Sequence, residues 1–75
     1  MFILEQVREL ILNLDNVSAI FIDSRATNRT IYVKCNNGDN ISIGEYETNS
    51  RTKEVLQEIK KAICENVVMF EMPLK

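Results

Sequence analysis

Hydrophobic and polar positions change their period along this chain, and the changes mark its elements. Three stretches, Val17 to Asp23, Thr30 to Cys35 and Asn40 to Tyr46, are rich in β-branched and aromatic residues and predict three strands. Asn36-Asn37-Gly38-Asp39-Asn40 lies between the last two, and its Asn-Gly step predicts a tight hairpin turn through positive φ angles. Alternation then places Ile31, Val33 and Cys35 on one face with Ile41 and Ile43, and Tyr32 and Lys34 on the other. Asp23 to Arg29 is polar and reads as a loop. After Tyr46 the period lengthens: Thr52, Val55, Leu56, Ile59, Ala62 and Ile63 recur at three and four, which predicts an amphipathic helix from Ser50 to Cys64 or Glu65. Thr48 to Ser50 offer N-capping groups, Lys60 and Lys61 suit the C-terminal end of the dipole, and Asn66 can close the helix. Val67 to Met72 reads as a last strand, stopped by Pro73. The first sixteen residues fit two descriptions. Ile3, Val7, Leu10, Ile11 and Leu14 line one helical face and favour a helix by periodicity, while Phe2 to Leu4 and Leu10 to Leu14 also suit strands.

Length turns this pattern into an architecture. Seventy-five residues hold one core, so the expectation is a single α+β domain with one helix packed across a sheet. Ordering each residue costs ~1.5 kcal/mol, which apolar burial in so small a body barely offsets. Further burial between copies makes a homo-oligomer the physical expectation. Two cysteines without a signal peptide do not suggest a disulfide, and Glu5 and Arg8 interrupt the apolar start too early for a membrane span. A cytoplasmic location with no membrane partner is therefore expected. Asn16-Val17-Ser18 and Asn28-Arg29-Thr30 match a glycosylation pattern that has no role without secretion. A net charge of −2 argues against a protein that binds duplex nucleic acid along its phosphates. It leaves room for a few local cations around a small anionic ligand.

Candidate chemistry is sparse. Without histidine the chain lacks the commonest general base and metal ligand. Cys35 and Cys64 lack the close spacing of zinc or redox motifs and read as small buried hydrophobes. Gly38 and Gly44 are the only glycines, so no phosphate-cradling loop is present and no cofactor is expected. Glu45 with Glu47, and Glu54 with Glu58, read as solvated carboxylates with no nucleophile beside them. An enzyme is not expected. What remains is a set of ligand-binding candidates: Arg25 and Arg29 in one loop, Tyr32 and Lys34 on a strand's outer face, and Tyr46, Thr48, Ser50 and Arg51 at the helix entry. Together they combine stacking rings, guanidinium donors and helix N-terminal amides. Each also has a plain structural reading, as a cap for Thr48 and Ser50 or a core ring for Tyr46.

Leu12-Asn13-Leu14-Asp15-Asn16-Val17, Ile43-Gly44-Glu45-Tyr46-Glu47-Thr48, Lys53-Glu54-Val55-Leu56 and the closing Met72-Pro73 resemble short proteins of phages, prophages and low-GC Gram-positive bacteria. The resemblance runs in order over nearly the whole chain. It implies two N-terminal strands joined around Gln6 to Glu9, and an antiparallel sheet, pleckstrin-homology-like or half-barrel, of five or six strands with one helix. Small phage proteins of this build are similar to viral sponges, cytoplasmic oligomers that sequester cyclic-nucleotide or ADP-ribose-derived signals of antiphage systems such as CBASS and Thoeris. The leading functional expectation is such an anti-defence, immune-evasion protein. The alternative is a protein-binding inhibitor, such as an anti-CRISPR, or an adaptor with no small-molecule ligand.

Overall fold

A computed structural model describes residues 1–23 and 27–75. The chain is α+β, with six strands and one helix among the described residues, rich in antiparallel pairing. In chain order these are β1 (Phe2–Leu4), β2 (Ile11–Asn13), β3 (Val17–Ile22), β4 (Thr30–Cys35), β5 (Asn40–Glu45), α1 (Asn49–Cys64) and β6 (Met69–Glu71), with one 3-10 turn at Leu14–Asn16. The strands form two three-stranded sheets, ordered β2-β1-β6 and β3-β4-β5, in place of the single expected sheet.

The helical reading of the N-terminus does not hold. Residues 2–13 form a hairpin, with Ile3 opposite Leu12. Its turn is closed by Glu5, whose main-chain N–H donates to Leu10 O at 2.9 Å and whose buried carboxylate accepts from Glu9 N at 2.8 Å. Arg8 there adopts φ 66°, which a helix excludes. Ile3 and Leu12 reach the core, whereas Val7, Leu10 and Ile11 of the supposed helical face stay exposed. The last strand is shorter than expected and runs parallel to β1, pairing Phe2 with Met69 and Ile3 with Phe70.

The central hairpin forms as the alternation requires, with Ile31, Val33 and Ile43 buried. Only Gly38, at φ 97°, takes a positive angle in its turn; Asn37 instead accepts from Asp39 N at 3.0 Å through its side chain. One irregularity matters for everything downstream. Tyr32 pairs with Ser42 but Ile31 with Gly44, so β5 carries one extra residue at Ile43. The bulge reverses the inward phase: Ile41 and Ile43 face the core before it, Gly44 and Tyr46 after it.

The helix packs Thr52, Val55, Ile59 and Ala62 into the core and leaves Leu56 half-buried and Ile63 exposed. Thr48 caps its start, accepting from Arg51 N at 3.0 Å. Asn66, at φ 56°, ends it: Asn66 N bonds Ile63 O and Val67 N bonds Ala62 O, the paired closure that a left-handed residue permits. Gln6 stitches the two sheets together. Its N–H donates to Ile43 O at 2.9 Å, its amide nitrogen donates to Glu45 O, and its amide oxygen accepts from Glu45 N, both at 2.8 Å. The side chain thereby continues the ladder along the outer edge of β5.

Candidate functional site

The eight candidate residues divide among separate places. Arg25 lies outside the described residues. Arg29 is exposed, and its carbonyl accepts from Tyr46 N at 2.8 Å. Tyr32 and Lys34 stand on the outer face of β4; Tyr32 stacks on Phe21 of β3, with ring centroids 5.7 Å apart and planes inclined by 22°. Thr48 is spent as the helix cap, and Ser50 is exposed in the first turn.

Tyr46 and Arg51 do meet, at the helix entry, but both are directed inward to the chain's last residues. Tyr46 is 3% exposed, and its hydroxyl donates to Pro73 O at 2.8 Å. Burial pushes this phenol up to about 12, and Glu58 adds to the rise, while Arg51 and Arg8 oppose it. The Arg51 guanidinium lies 5.9 Å from the Tyr46 ring centroid. Its Nε and Nη2 donate to Lys75 O at 3.1 and 3.0 Å, and Nη1 donates to Glu58 Oε2 at 3.1 Å, with Glu54 3.5 Å away. A guanidinium with that many internal acceptors has little donor capacity left for a phosphate. The arrangement clamps the segment after β6 against the helix start.

Gly44 makes the clamp possible. A Cβ at this position would lie 3.0 Å from Met72 Cε and 3.0 Å from the Tyr46 hydroxyl oxygen. The glycine in the middle of a strand pattern was the sequence signal for the bulge, and with it for a buried Tyr46.

Sequence reasoning missed a different surface. On the outer face of β2-β1-β6, the pairing sets Phe2 between Asn13 and Met69, and Leu4 between Ile11 and Glu71. Phe2, Ile11 and Met69 are 40%, 57% and 39% exposed. The signal was the unbroken apolar run in Phe2-Ile3-Leu4 and Leu10-Ile11-Leu12. Strands apolar on both faces need cover on both faces, and the core covers only one.

Among the described residues no group of side chains could hold a metal ion, and no helix is long and apolar enough to cross a membrane. No family model, curated protein or solved structure matches the chain.

Proposed function

We propose that this chain is a non-catalytic binding protein that covers another protein with the outer face of β2-β1-β6, the inhibitor or adaptor class of activity. The observation that carries this reading is the apolar cluster of exposed Phe2, Ile11 and Met69 around half-buried Leu4, on a sheet face that no other described element packs against. Clustered apolar side chains on a small domain mark interaction sites, whereas scattered ones need no explanation. Exposed Glu71 stands on this face beside Leu4, which favours a partner that brings a Lys or Arg next to its apolar patch. Ile11, the most exposed of the cluster, is the expected anchor.

Its test is binding to the partner recovered with wild-type protein. Ile11→Lys should weaken that binding by ~2 kcal/mol or more, as for an anchor, while circular dichroism and thermal stability stay unchanged. Equal binding by the variant would overturn the assignment of the face.

A second reading, sequestration of a nucleotide signal, draws support from one feature. The Phe21–Tyr32 ring pair lies on the outer face of β3-β4-β5, with Lys34 one pleat further along β4. Bases stack on such rings, and a nearby ammonium suits a phosphate. Differential scanning fluorimetry against cyclic di- and trinucleotides and ADP-ribose isomers separates the readings. A rise of several degrees that disappears in Tyr32→Ala selects the nucleotide; no rise with any of them leaves the protein-covering function.

A further inference from the structure

Among the described residues, one of the four sheet edges is occupied, two are short, and one is long and without a strand partner. The outer edge of β5 is occupied by Gln6 through main chain and side chain alike. β2 and β6 end the other sheet, and each is only three residues long, with Pro73 shortly after β6. Short edges and proline are ordinary protections against strand addition. β3, by contrast, is a six-residue edge strand whose sequence, Val-Ser-Ala-Ile-Phe-Ile, contains neither charge nor proline. A register shift at Ser18 confines its regular run to Ala19–Ile22, where alternate N–H and C=O groups face away from β4.

An apolar groove follows this edge. It encloses about 320 Å³ between β3 and the second half of α1, floored by Ile20, Leu56, Ile59 and Ile63, with Lys60 and Cys64 at its rim. Ile63 is 46% exposed, although it belongs to the apolar stripe of the helix. A strand laid against β3 would bond its open edge and drop alternate side chains onto Leu56 and Ile63. The occupant must therefore be extended, uncharged and apolar on its inward side.

We propose that the occupant is β3 of a second copy of this chain, paired antiparallel about a two-fold axis. β3 meets each requirement it sets, since its own inward residues are Ile20 and Ile22 and it brings no charge to the seam. The product is one continuous six-stranded sheet, β5-β4-β3 joined to its symmetry mate, with both helices on the same side and Leu56 and Ile63 of each copy covered by the other. A two-fold makes the contact isologous and closed, so pairing stops at the dimer. A seam of four paired residues, ~13 Å long and ~20–25 Å wide, buries ~300 Å² per copy, smaller than a standard specific interface, and predicts a weak dimer that dissociates on dilution. This surface is separate from the proposed partner-binding face, and either assignment can fail alone.

Sedimentation velocity of the wild-type chain at ~100 µM, a concentration suited to such small interfaces, should give twice the 8.7 kDa chain mass. Ile63→Lys and Ala19→Lys both change exposed side chains and should give the single-chain mass with unaltered circular dichroism. Ile11→Lys should leave the dimer intact. Within Ala19–Ile22, the amides directed away from β4 should exchange at least tenfold faster in Ile63→Lys than in concentrated wild type. A monomeric wild type, a dimer that survives both variants, or edge amides that exchange fast in the dimer would each overturn the proposal.

Discussion

Gly44, Tyr46 and Arg51 form a chain of dependence in which the smallest residue carries the others. A methyl group at Gly44 would meet the Tyr46 ring, which its bond to Pro73 O pins in place, and Met72, which is fully buried. Both neighbours would have to shift by a few tenths of an ångström inside a packed core, so Gly44→Ala should lower stability by ~1–3 kcal/mol, the usual range for overpacking, measured by urea denaturation. Tyr46 is testable by titration. In a Tyr32→Phe variant the one remaining phenol should ionise near 12, followed by absorbance at 295 nm. Because the folded-state pKa lies above the unfolded value of ~10, the native state holds its proton longer. The associated stability is complete below about pH 10 and falls away as pH rises from there towards 12. These residues also show where a local pattern misleads. A ring between two glutamates looks like a surface residue, and only the extra residue at Ile43 turns it inward.

Helix α1 was legible because its signals are local: a stripe at three and four, a threonine before it and an asparagine after it. All three appear in the structure, with the first helical residue Asn49 one position ahead of Ser50. Thr48 has a double duty there, its hydroxyl accepting from Arg51 N and its carbonyl from Thr52 N and Thr52 Oγ1. Only the hydroxyl contact is lost in Thr48→Ala, so the expected cost is ~1 kcal/mol by thermal denaturation, with Thr48→Ser nearly neutral. The N-terminal hairpin, which the two-strand alternative described, was illegible to periodicity for the opposite reason. Five apolar residues happen to fit a helical stripe, and what decides against it is a strand that follows the helix. The same distance hid the outer face of β2-β1-β6, since exposure on a sheet depends on what the remaining chain leaves uncovered.

At the scale of the molecule, the architecture rests on connections between sheets more than on either sheet alone. Asn36 N bonds Asn16 O, Gln6 bonds Ile43 and Glu45, and Met72 N bonds Leu4 O, so each sheet is tied to segments outside it. Ile3, Ile31, Val33, Ile43, Val55, Ile59 and Met72 then share one core beneath both. The parallel pairing of β1 with β6 also sets how the molecule would respond to tension. Force applied at Met1 and Lys75 pulls two parallel strands past each other lengthwise, which loads all their hydrogen bonds at once. In an antiparallel hairpin pulled from its open end, the bonds would part in succession. The β1–β6 seam, flanked by Phe2 N to Val68 O at 2.8 Å and Met72 N to Leu4 O at 2.9 Å, thus acts as a shear lock joining the first strand to the last.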